Sequence, residues 1–116
     1  MANVAGTTIL AWIIVEVDQA LETVRRNIVK FLTVREDPAL LKVCPEHLHQ
    51  VSGALRMVGL AGATRFCEVL ERSLVVPKGG ATPSSMAIQV IDRSVLALKE
   101  FVNELARGQA NALDHV

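Results

Sequence analysis

The side chains best equipped for chemistry are three histidines, His47, His49 and His115, and two cysteines, Cys44 and Cys67. His115 belongs to the C-terminal tail. His47 and His49 are two residues apart, a spacing that on a helix points them about 200° away from one another. Two ligands for one metal on a helix need a spacing of three or four, so this pair does not chelate. The chain has no carboxylate–histidine motif of the zinc-hydrolase type, no Walker loop and no Gly-rich nucleotide loop. No metal and no cofactor are therefore expected. What remains is a single imidazole as nucleophile.

His49 is the candidate. It lies about 100° round the helix from Leu48, on the flank of an apolar series formed by Leu48, Val51, Leu55 and Val58. Gln50, Ser52, Gly53 and Arg56 follow it. A phosphoryl group on an imidazole nitrogen needs space, hydrogen-bond donors and nearby positive charge. Gly53, one turn beyond His49, removes a crowding side chain at a cost to the helix of about 1 kcal/mol against Ala. The same glycine also suits a site where a second helix must approach closely.

The elements that carry these residues read as helices. Ile9, Ile13, Val17, Leu21, Val24, Ile28 and Phe31 recur at steps of three or four, with Thr7 or Thr8 as the expected N-cap. Asp37-Pro38 starts a second stretch that runs to about Val58, with a kink or restart at Cys44-Pro45. Gly59 and Gly62 mark a turn, and a third stretch follows over about Leu60–Leu74, with Leu60, Ala63, Cys67, Leu70 and Leu74 inward. A long loop is expected at Val76–Pro83, with Thr82-Pro83 opening the fourth stretch. That stretch runs to about Arg107, turns Ala87, Ile91, Ser94, Val95, Leu98, Val102 and Leu105 inward, and stops at Gly108. No segment reads as a strand. The expectation is an all-α, up-and-down four-helix bundle over residues 1–116. In it the second and third stretches run antiparallel about Gly59. Cys44 and Cys67 are then offset by about 10 Å along the axis, too far for a disulfide.

Composition agrees with one helical domain, either free-standing or part of a larger kinase. Apolar residues make up 51 % of the 116 and charged residues 21 %, enough for a core and too balanced for a disordered tail. Aromatics are only 3 %, which disfavours a β-sandwich. Twelve basic residues balance twelve acidic ones with no basic stripe, so nucleic acid is not an expected partner. The longest apolar run, Ile9–Val15, is far short of the roughly 20 residues a membrane span needs. Two cysteines without a framework suit a reducing compartment, and a cytoplasmic address is expected.

The stretch from Leu48 to Leu60, with Phe66-Cys67-Glu68-Val69-Leu70-Glu71 downstream, resembles the signature of histidine phosphotransfer (Hpt) domains. The wording His-Gln-Val-x-Gly-x-Leu-x-Met-Val is closest to the Hpt-like N-terminal modules of the large chemosensory kinases that govern type IV pilus twitching motility, and to degenerate Hpt-like regulators of that system. Leu10-Ala11-Trp12 and Glu16–Leu21 fit the same branch, and the likeness covers roughly residues 9–76. The resemblance implies a two-component phosphorelay with His49 as phosphoacceptor and Gln50, Ser52, Gly53 and Arg56 in support. It implies a response-regulator receiver domain or a histidine kinase as partner, and no kinase activity in the chain itself. Ser52 stands where the family usually has Lys, which leaves Arg56 as the nearby cation. The alternative is a non-phosphorylated docking domain that binds a kinase, receiver or scaffold through the same face.

Trp12, Ile14 and Val15 point away from the main stripe of the first stretch. Together they form an expected apolar patch, a surface for self-association, for a neighbouring domain or for a partner.

Overall fold

Apolar residues at alternating steps of three and four build the first element. In the computed structural model, which describes the backbone of residues 2–33, 37–75 and 83–114 and the side chains of 9–33, 37–75 and 83–108, helix α1 spans Ala2–Thr33. Its buried line is Ile14, Val17, Leu21, Val24, Ile28 and Phe31. The helix starts before Thr7 and Thr8, so neither caps it. Helix α2, Pro38–Lys42, opens as Asp37-Pro38 foretells: the Asp37 carboxylate accepts a hydrogen bond from Ala39 N at 3.0 Å, and Pro occupies the first helical position. The chain then restarts at Val43, and α3 spans Cys44–Met57 with Pro45 in its first turn, the restart expected at Cys44-Pro45.

Gly59 ends α3. Its φ of +80° is the left-handed conformation that glycine adopts at no steric cost. Gly59 N donates to Arg56 O at 3.1 Å and Leu60 N donates to Leu55 O at 3.0 Å. That pair of bonds is a Schellman closure, which satisfies the last carbonyls of the helix. Helix α4, Ala61–Leu74, returns alongside α3. Residues 76–82, where the long loop and Thr82 were expected, lie outside the described residues. Helix α5 spans Ser85–Asp114. Ser84, not Thr82, caps it: Ala87 N donates to the Ser84 hydroxyl at 3.1 Å. Gly108 does not stop it, because a glycine costs a helix about 1 kcal/mol without breaking it.

The long helices alternate in direction. Arg25 pairs with Asp92 and Asp18 with Lys99, so α1 and α5 run antiparallel. Cys44 beneath Val24 and His47 beside Ala20 set α3 antiparallel to α1. Cys67 against Leu48 sets α4 antiparallel to α3. Every element among the described residues is an α-helix, and the arrangement agrees with the expected bundle. The core joins α1, Leu41 of α2, the inner faces of α3 and α4, and Ile88, Ile91, Val95, Leu98 and Val102 of α5. Cys44 and Cys67 are both free and buried.

Two packing expectations need correction. Ile14 is a core residue, only 6 % exposed, so it does not belong to a surface patch; Ile9 takes its place beside Trp12 and Val15 on the outside. The reason is helix phase: Ile14 lies one step of three before Val17 on the buried line, whereas Ile9, Trp12 and Val15 follow one another at steps of three along the outer side of α1. Ala87 is exposed and Ile88 is buried in its place, while Ile91, Val95, Leu98 and Val102 turn inward as expected. Thr64 is buried, its hydroxyl satisfied by Leu60 O at 2.8 Å.

Candidate functional site

Helix α3 carries two opposed polar faces. His47 and Gln50 line a groove against α1 with Glu16, Gln19 and Thr23. His49 lies on the other side, towards α4, with its side chain 78 % exposed. The two-residue spacing thus separates the histidines as expected, and the pair does not share a metal. Gln50 is separated from the His49 ring in the same way.

Three features surround His49. Its Nδ1 lies 3.0 Å from Glu71 Oε1 on α4. A carboxylate at that distance draws the ring proton to Nδ1 and leaves Nε2 as the bare, solvent-facing nitrogen. In the sequence Glu71 stands out only as the end of the downstream Phe66–Glu71 stretch. The antiparallel register about Gly59 brings it opposite His49, because one lies ten residues before that glycine roughly as the other lies twelve after.

Gly53 is the second feature. A Cβ built there meets nothing within 4 Å. No neighbouring helix presses on it, so close helix approach does not account for this glycine, and the space beside His49 is open.

The third feature is the underside of the site. Ser52 is 3 % exposed, and its hydroxyl donates to His49 O at 2.8 Å. The hydroxyl therefore faces the helix backbone and not the imidazole. Arg56 is held by Glu68 of α4. Of the expected supporting residues, Ser52 and Gly53 flank His49, Arg56 is engaged elsewhere by its ion pair, and Gln50 faces α1. Cys67 lies below, its thiol donating to Leu48 O at 3.2 Å. Burial pushes the Cys67 thiol up to about 12, and the Glu71 and Glu68 carboxylates add to the effect. At neutral pH it is a protonated packing residue, not a nucleophile.

The site thus presents one exposed imidazole backed by a carboxylate, set on a rigid α3–α4 pair with room on its outer side. An exposed imidazole of this kind has the parts of a nucleophile, and the grooves formed by the described residues are lined by other side chains.

A family model, the FimL C-terminal domain, matches residues 6–75. The matched span takes in most of α1, all of α2 and α3, and α4 to its end. No curated protein and no solved structure matches the chain.

Proposed function

The chain belongs to the FimL C-terminal domain family, and from that premise we propose that it is a pilus-associated signalling module that carries a phosphoryl group on His49. The pilus association of the family agrees with the twitching-motility branch to which the sequence is similar. The observation that carries the phosphotransfer reading is the His49 ring itself: exposed, backed by Glu71 on one nitrogen, and open on the side of Gly53. The up-and-down, Hpt-like bundle belongs to the same proposal.

In that reading the Nε2 lone pair attacks the phosphorus of an aspartyl phosphate on a receiver domain. The N–P bond forms, the P–O bond to the aspartyl carbonyl breaks, and its electron pair leaves with the carboxylate. The imidazole gains positive charge, which the Glu71 carboxylate opposes from 3.0 Å away. The chain supplies position and the acceptor atom; the partner supplies the activated phosphate and any metal it requires.

A second reading has its own support. The buried Ser52 hydroxyl and the Arg56–Glu68 pair leave the ring without an unengaged cation on α3, which favours docking of a receiver or kinase without transfer. One experiment separates the two. The chain is incubated with a phosphorylated receiver or an active kinase of the pilus system, and acid-labile phosphate is measured on wild type and His49→Gln. Label on wild type alone supports transfer; binding of equal strength with no label on either protein supports docking.

A further inference from the structure

Helix α4 has two working faces. Glu68 and Glu71 turn to α3, and about 200° away Phe66 turns to α5. There α4 and α5 touch only sparingly, and an apolar groove runs between them. At one end Gly62, Ala63 and Phe66 face Ala97, Leu98 and Phe101 around a cavity of about 400 Å³. At the other end Ser73 faces Met86, Ala87 and Val90. Phe66 and Phe101 are 43 % and 45 % exposed. From Gly62 to Ser73 the groove is about 16 Å long, the length of roughly three helical turns.

Two apolar hollows in line along one helix pair, with the half-exposed Val69 between them and aromatic side chains at the edge of one, are the form an interface takes, whereas single exposed apolar residues are commonplace. Its rim is charged in one sense. Arg65 and Arg72 form a ridge with Val69 beside the Gly62–Phe66–Ser73 row, and Arg93 stands between Val90 and Ala97 on α5. All three arginines are exposed. None has an ion-pair partner among the described residues. Of the nearby acids, Glu68 and Glu71 are turned to α3 and Glu104 to Arg107, while the exposed Glu100 shares the outer face of α5 with Arg93, so Arg65 and Arg72 on α4 set the sign of the rim.

We propose that the α4–α5 groove docks an amphipathic helix of a partner protein, about three turns long, with apolar anchors along one face and carboxylates on its flanks. The arginine rim selects against a second copy of this chain in the same groove, because a two-fold contact would set Arg65, Arg72 and Arg93 against themselves. The site lies on the opposite face of α4 from His49, so a partner held there leaves the imidazole uncovered.

The probes are two synthetic, lactam-stapled helical peptides with leucines at i, i+4 and i+7, one flanked by Glu and one by Lys. Fluorescence anisotropy with the full chain is expected to show the Glu peptide binding about tenfold more tightly than the Lys peptide, with the difference falling as salt rises. Arg65→Glu with Arg72→Glu inverts the preference, and Phe66→Gln or Phe101→Gln abolishes binding while thermal unfolding is retained. His49→Gln binds as wild type does. Amide shift mapping on the wild-type chain, which needs no variant to fold, places the perturbed signals on residues 62–73 and 86–101. Equal binding of the two peptides, shifts confined to other helices, or loss of chain self-association in Phe66→Gln overturns the proposal.

Discussion

Glu71 Oε1 lies 3.0 Å from His49 Nδ1 across the α3–α4 interface, and the Gly59 closure that ends α3 sets the register that brings them together. In the proposed transfer the carboxylate is placed to hold the ring by Nδ1 and to oppose the charge that phosphorylation would put on it. Glu71→Gln keeps the shape and removes the charge. Phosphoryl uptake from a phosphorylated receiver is expected to slow by about tenfold, the equivalent of roughly 1.4 kcal/mol, with an unchanged helical circular dichroism signal. An unchanged uptake rate would remove Glu71 from the mechanism.

Gly53→Ala separates stability from function. The new methyl meets nothing within 4 Å, and the helix gains propensity worth about 0.5–1 kcal/mol. A melting temperature higher by about 2–8 °C is expected for a chain of this size. The same methyl narrows the approach to His49, so phosphoryl uptake should fall. A variant both more stable and equally fast would show that the open space at Gly53 is not used.

Helix content was legible in the sequence because steps of three and four between apolar residues survive any tertiary arrangement. The restart at Pro45, the turn at Gly59 and the opposition of His47 and His49 were legible for the same local reasons. Ile14 and Ile9 were not. Both lie about equally far from the centre of the helical stripe, and which is buried depends on the helices packed against that end of α1, a property of other segments. Ser52 misled in a related way. Its place between Leu48 and Leu55 on the flank allows either an outward or an inward hydroxyl, and packing against α4 decides. Glu71 was visible as a carboxylate, but its partnership with His49 needed the register of two helices.

Ser52 now carries a structural expectation. Its hydroxyl gives His49 O a bond beyond the usual helical one, so Ser52→Ala should cost no more than about 1 kcal/mol of stability. Ser52→Lys restores the residue usual in Hpt domains but places a cation at a site only 3 % exposed. It should lower the urea midpoint well below that of Ser52→Ala. A lysine variant as stable as wild type would show that the side chain escapes to solvent, and the lifetime of its phosphorylated form then becomes the informative measurement.

The thiols give the chain an alkaline limit. Burial raises Cys44 from the ordinary 9.0 to about 11 and Cys67 to about 12. Below pH 9 both states hold both thiol protons and the stabilisation is complete. Above it the unfolded chain loses protons that the native chain keeps, so stability falls as pH rises towards the folded values, by at most about 1.4 kcal/mol per pH unit for each thiol. Under reducing conditions the urea midpoint should drop between about pH 9 and about pH 11, and less steeply in Cys44→Ala with Cys67→Ala. Equal slopes in the two proteins would place the alkaline limit elsewhere.

The N-terminal half of α1 makes the last expectation. Trp12 is 66 % exposed, and with Ile9 and Val15 it forms an outward apolar face at steps of three. Water pays no penalty-free visit to such a face, and aromatic side chains at its centre are the usual sites of strong contacts. Among the described residues of α1 this face carries no arginine, and its neighbouring charge is the exposed Glu16, one turn from Trp12, so a second copy approaches it most readily when salt screens that carboxylate. Light scattering from the micromolar to the millimolar range should show reversible mass growth in wild type, accompanied by a blue shift of the Trp12 emission as the indole leaves water. Trp12→Ala with Val15→Ser should remain at monomer mass throughout. Ile14→Ser is the control that tells surface from core: Ile14 is buried, so its polar substitution should lower thermal stability. A wild-type chain that stays monomeric with unshifted Trp12 emission over the whole range would leave this face without a self-association role.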